Sequence, residues 1–153
     1  MEMRLYTTSE VLEITGEKSP RVQYWILNGI VKPEDPSAGT GTSRQFSFEN
    51  LLQIYIAQCL SRARISVKIV AHVMHQIGRE RANFFKKGNY VDDPEKQTVL
   101  SVEINSGGTA ISRIHTLKEA RESLNHLLGT GFLLLQLNLD VLKKILVNRL
   151  IVQ

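Results

Sequence analysis

Thr8-Ser9-Glu10-Val11-Leu12-Glu13-Ile14-Thr15-Gly16, followed two residues later by Ser19-Pro20-Arg21-Val22-Gln23-Tyr24-Trp25-Ile26-Leu27-Asn28-Gly29, is the stretch on which the fold of this chain turns. Thr8, Ser9 and Glu10 open a helix with hydroxyl cap candidates, Val11, Leu12 and Ile14 give it an apolar stripe, and Thr15-Gly16 ends it. Ser19-Pro20 is a second start signal, with a hydroxyl for the N-cap and a proline whose missing N–H costs nothing in the first turn. Val22, Trp25 and Ile26 fall at i, i+3 and i+4, one buried face, and Gly29 suits the helix C-terminus. Two short helices joined by about four residues form a helix-turn-helix candidate.

Working outward, the segment from Lys32 to Ser43 carries two prolines and two glycines and cannot be helical. It is expected to be a loop, or a hairpin with its tip near Gly39 to Gly41. Ser47 then caps a third helix with Phe48, Leu51, Leu52, Tyr55 and Cys59 on one face, and Ser66 a fourth with Ile69, Val70, Val73, Met74 and Ile77 inside. The fourth is expected to run past Gly78 to about Lys87. Gly88 to Gln97, with Asp92-Asp93-Pro94 at its centre, reads as a linker.

Beyond the linker the period changes. Leu100, Val102 and Ile104 alternate as in a strand, and Ala110 to Ile114 is a second strand joined to it through Asn105-Ser106-Gly107-Gly108. Thr116 and Glu119 match a capping box ahead of Leu117, Ala120, Leu124 and Leu127. Phe132 to Leu137 is a strand-length apolar run. Asp140 to Leu150 then reads as a helix with Asp140, Lys143, Lys144 and Asn148 on a narrow polar stripe and leucines and isoleucine opposite. The expected fold is mainly α in the N-terminal half, then a small α+β module of order β-β-α-β-α. The expected divisions are 1–77, an extension and linker over 78–97, and 98–153.

Composition bounds the function. The chain has 153 residues and a formal net charge of +4, a size for one domain or two small ones. No uninterrupted apolar run exceeds four residues, against the roughly 20 of a membrane span. The N-terminus has no signal-peptide pattern. A soluble, cytoplasmic protein is expected, with no membrane partner. The single cysteine, Cys59, excludes an internal disulfide framework and a multi-cysteine metal site. His72, His75, His115 and His126 are scattered, and Gly107-Gly108 lacks the lysine of a phosphate loop. No catalytic residues, cofactor or metal are therefore expected. Charge is nearly balanced up to Ile77, but it is sorted: Glu2, Glu10, Glu13, Glu17 and Glu34 come early, while Arg44, Arg62, Arg64 and Lys68 come later with only Glu49 among them.

Five pieces in order carry a resemblance: Tyr6-Thr7-Thr8-Ser9-Glu10-Val11-Leu12-Glu13-Ile14-Thr15-Gly16, Val22-Gln23-Tyr24-Trp25, Gly29-Ile30-Val31-Lys32-Pro33, Arg44-Gln45-Phe46-Ser47, and Leu51. Over about residues 4–77 the chain resembles the winged helix-turn-helix DNA-binding domain of the MerR family of bacterial transcription regulators. It departs from that pattern at Leu12, where a small residue is usual, at Gln23, where arginine is frequent, in the longer glycine-rich 33–44 segment, and in having no evident long dimerisation helix.

The resemblance implies a second helix lying in a major groove of double-stranded DNA. With Val22, Trp25 and Ile26 inward, Ser19, Arg21, Gln23, Tyr24 and Asn28 are the outward candidates; arginine suits guanine, glutamine suits adenine, and Tyr24 suits a phosphate. Thr42, Ser43 and Arg44 in the wing, and Arg62, Arg64 and Lys68 at the junction of the third and fourth helices, are candidates for flanking phosphates. The leucine-rich C-terminal module is expected to pair with a second copy or to take an unknown small-molecule or protein effector. Two alternatives to a transcription regulator stand beside it: an excisionase-like architectural protein, and an interaction adaptor whose winged helix no longer touches DNA.

Overall fold

A computed structural model describes residues 4–34, 44–80, 91–104, 110–127 and 133–152. It divides into two compact units, Met1–Asn89 together with Ile145–Gln153, and Tyr90–Lys144.

In the first unit, β1 (Tyr6–Thr7) leads directly into α1 (Thr8–Thr15). Thr7 rather than Thr8 is the N-cap: its side chain accepts from the Glu10 N–H while the Glu10 carboxylate accepts from the Thr7 N–H at 2.8 Å. That same hydrogen bond from Thr7 holds the Glu10 carboxyl below its ordinary range. Gly16 closes α1 at φ +68°, a left-handed conformation that an L side chain rarely adopts. Helix α2 (Ser19–Leu27) starts one residue earlier than the Ser19-Pro20 signal implied. Lys18 is the N-cap without a side-chain cap, and Ser19 is already helical. Gly29, at φ +69°, ends α2, with Ile30 N–H donating back to Trp25 C=O at 2.9 Å.

Strand β2 (Gln45–Phe46) pairs antiparallel with β1, Tyr6 opposite Phe46, and Glu34 N–H donates to Gln45 C=O at 2.9 Å. The ends of the 35–44 segment are thereby held together; its expected hairpin tip, with Thr42 and Ser43, lies outside the described residues. Helix α3 (Phe48–Arg62) begins on Ser47, as expected, with Asn50 closing the capping box and donating to Lys32 C=O at 2.8 Å. Between Leu51 and Leu60 this helix is buried nearly all round, not on one face alone. Val11, Ile14, Val22, Trp25, Ile30 and Phe46 are buried in the core of the same unit. Helix α4 (Val67–Glu80) follows, burying Val70, Val73, Met74 and Ile77. The expected continuation to Lys87 lies outside the described residues.

The second unit opens with a short 3-10 turn at Pro94–Lys96 inside the expected linker. Strands β3 (Thr98–Ile104) and β4 (Ala110–Thr116) form the expected antiparallel pair, Thr98 opposite Thr116. Helix α5 (Leu117–Leu127) starts on the predicted capping box, with Thr116 N–H donating to Glu119 Oε2 at 2.7 Å. Strand β5 (Leu133–Asn138) adds to the free side of β3, giving the order β4-β3-β5, and α6 (Leu139–Val152) ends the described chain. The β-β-α-β-α order holds.

The expectation for α6 needs correction. Asp140 and Lys143, placed on a polar stripe, are 2% and 0% exposed. The Asp140 carboxylate accepts from Thr98 N–H at 2.6 Å, and burial lowers the Lys143 ammonium below the usual lysine range. Helical period shows where side chains point. It does not show which of them find a buried partner forty residues away.

Candidate nucleic-acid interface

The surface of α2 follows from what its core face requires. Val22 and Trp25 are 0% and 2% exposed, so the backbone phase leaves Arg21, Tyr24 and Asn28 in solvent and Gln23 half-buried at the edge. Ser19 is exposed at the start of the helix. The side chains are not all idle. Glu17, its side chain 7% exposed, accepts from Gln58 Nε2 at 3.1 Å and lies 3.7 Å from Arg21 Nη1, so the arginine extends from an anchored carboxylate. Asn28 Nδ2 donates to Tyr24 C=O at 2.8 Å and so helps to finish the helix. Tyr24 is half exposed.

Two candidates that are 21 residues apart meet. Arg44 Nη1 donates to Gln23 Oε1, tying the base of the wing to the middle of α2. This contact engages the glutamine's oxygen and leaves its Nε2 as a donor. Arg44 is therefore fixed in direction before any partner arrives.

Arg62, Arg64 and Lys68 are exposed around the α3–α4 turn. Arg64 sits at φ +59°, the one non-glycine residue with positive φ among the described residues. Its N–H donates to Ser61 C=O at 3.0 Å, Ile65 N–H donates to Leu60 C=O at 3.0 Å, and Ser66 accepts from the Ile69 and Val70 amides to start α4. The sequence Ser61-Arg62-Ala63-Arg64 holds no glycine or asparagine to announce the left-handed residue. Two further exposed cations stand beside α2, Lys18 at its N-cap and Lys32 after its C-terminus, and their proximity in sequence to α2 is the signal that marks them. Arg4 pairs with Glu10 at 3.3 Å and lies over the Tyr6 ring.

Cys59 is half-buried on α3, and burial pushes its thiol above the ordinary range, away from the reactive thiolate. His72 and His75 are exposed. In the second unit Ser101 Oγ lies 2.6 Å from His115 Nε2 and accepts from Gln136 Nε2 at 3.2 Å. Which of the two donates follows the imidazole tautomer, and burial lowers the His115 pKa below the ordinary histidine value. Ser101 is 1% exposed, so this is an internal network and not an open nucleophile.

No curated protein matches the chain. Residues 6–77 match the sequence profile described as "MerR HTH family regulatory protein", a span that begins at β1 and ends inside α4. The two-helix turn, the wing base at Arg44 and the α3–α4 pair all fall within it, so residues 6–77 of this chain are matched to the helix-turn-helix domain of the MerR family of regulatory proteins.

Proposed function

We propose that the protein is a sequence-specific, double-stranded-DNA-binding transcription regulator, acting in the cytoplasm as a homodimer and without catalytic activity. The observation that carries the reading is the surface of α2 within the family match: Arg21, Tyr24 and Asn28 face solvent while Val22 and Trp25 are buried. In this reading α2 enters the major groove, where Arg21 and the Nε2 of Gln23 read base edges and Tyr24 and Asn28 meet the backbone. Arg44, aimed by Gln23, takes a flanking phosphate with Thr42 and Ser43, and Arg62, Arg64 and Lys68 take another. Among the described residues no helix is long and apolar enough to cross a membrane.

The test is binding-site selection on purified protein, then salt titrations on the selected duplex. Arg44→Ala should weaken binding to all duplexes alike and flatten the salt slope by about one unit. Arg21→Ala and Gln23→Ala should relax specificity at one or two base pairs by roughly 1–3 kcal/mol each. Because Gln23 also positions Arg44, its replacement should reduce the salt slope as well. Binding indifferent to all three changes would sink the reading.

A further inference from the structure

The first unit holds an open-sided cavity of about 360 Å³ between the end of α2, α3 and α4. Its polar side chains are Lys32, Gln53, His75 and Arg79, and among the described residues no acidic side chain lines it. Gln53 Oε1 accepts from Asn50 Nδ2, so the group it offers is the Nε2 donor. The α2 carbonyls here are already taken: Tyr24 C=O accepts from Asn28 N–H, Ile26 C=O from Gly29 N–H and Trp25 C=O from Ile30 N–H. Ile30 and Met74, 2% and 6% exposed, supply the apolar part. Two lining residues are glycines, and a Cβ built on Gly78 would meet nothing within 4 Å, so the space there is open. Arg79 lies 3.5 Å from Glu80, but both are exposed, and an exposed ion pair is readily exchanged for a better anion.

We propose that this cavity binds a small organic anion, a carboxylate or phosphate ester with a compact apolar body, as an effector of DNA binding. Donors and cations without a lining carboxylate select an anion, the buried Ile30 and Met74 favour an apolar group behind it, and the volume is that of a small-ligand site. A ligand seated there touches Gly29 and Ile30, the residues that end the helix proposed to read the bases. The proposal rests on the DNA-binding reading only for its regulatory consequence.

The probes are phenyl phosphate and its neutral analogue benzyl alcohol, titrated into the full chain while the amide resonances of Gly29 and Gly78 are followed by NMR. Phenyl phosphate is expected to shift both with a millimolar or lower Kd, and benzyl alcohol to bind at least about tenfold more weakly. Gly78→Leu fills the cavity with a residue that favours helix over glycine, so the fold should hold while phenyl phosphate affinity falls at least about tenfold. Lys32→Gln with Arg79→Gln should lose binding to the same degree. Phenyl phosphate should change duplex affinity in the unaltered chain and not in Gly78→Leu. Equal response to both probes, no shift up to about 10 mM, or unaltered binding in Gly78→Leu overturns the site. So does a drop of about two units in the DNA salt slope of the Lys32/Arg79 variant with phenyl phosphate binding intact, which would assign these cations to duplex phosphate. A chain that binds no duplex yet keeps the NMR response would defeat the function reading and leave the site standing.

Discussion

Arg149→Ala tests whether the end of α6 is part of the helix-turn-helix unit in energy as well as in position. Arg149 Nη1 donates to Ile14 C=O at 3.2 Å, reaching the last turn of α1, and its guanidinium lies 5.2 Å from the centre of the Tyr55 ring. A hydrogen bond to a charged donor contributes about 1.5–3 kcal/mol and an exposed cation over an aromatic face about 0.5–1. Arg149 is exposed, so water screens both contacts, and ordering its long side chain opposes them by up to about 2 kcal/mol. The net loss expected is about 1–2 kcal/mol. For a chain of 153 residues that lowers Tm by about 3–6 °C, read by circular dichroism. A double-mutant cycle with Tyr55→Leu should show a coupling of about 0.5–1 kcal/mol. Arg149→Ala melting within about 1 °C of the unaltered chain, or a cycle with no coupling, refutes the reasoning.

Two further outcomes are expected. Arg64→Gly removes the left-handed strain at φ +59° but frees the unfolded chain, so stability should change by less than about 1 kcal/mol while the DNA salt slope falls by about one unit; a large destabilisation would mean that the side chain, not the backbone, holds the turn. His115 has its pKa lowered by burial, so the unfolded state takes up its proton first. Its stability contribution is present above the ordinary histidine value of 6.5 and is lost as pH falls below it towards the lowered folded pKa; denaturant midpoints at pH 8 and pH 5 should differ, and His115→Gln should flatten the difference.

Much of the first unit was legible because its signals are local. The Ser47 cap, the Gly16 and Gly29 stops and the Val22–Trp25 spacing each act within one or two turns, and each stands where its chemistry places it. The second unit's sequence of elements, β-β-α-β-α, needed only period two and a capping box, whereas the place of β5 on the free side of β3 had no local signal. What stayed hidden depends on distant partners. Nothing near Gln23 announces Arg44, nothing near Asp140 announces the Thr98 amide, and the left-handed Arg64 carries no residue-type mark. Arg149 is the sharpest case: its partners are Ile14 and Tyr55, more than ninety residues away, and Ile145–Gln153 clusters with Met1–Asn89.

The same helix changes the argument for a dimer. Its apolar circumference, read from sequence, demanded a second copy to cover it. In the structure Leu139, Leu142 and Leu146 are 0%, 9% and 0% exposed, so the chain covers them itself. The exposed remainder on α6 is Val141 and Ile145, one turn apart at 44% and 41%, then Ile151 and Val152 at its end. Burying four aliphatic side chains removes roughly 250–500 Å² from water, short of the ~800 Å² per partner of a stable interface. A homodimer resting on this stripe is therefore expected to be weak and to be completed on DNA, where a pseudo-palindromic site holds two copies side by side. Sedimentation should show concentration-dependent association in the micromolar range, and binding to the two half-sites should be cooperative. Val141→Asp with Ile145→Asp should abolish both while sparing single half-site affinity, since neither residue is in the core. Leu142→Asp, by contrast, should unfold the second unit. A chain that remains a tight dimer at nanomolar concentration, or keeps its cooperativity in the Val141/Ile145 variant, places the interface elsewhere.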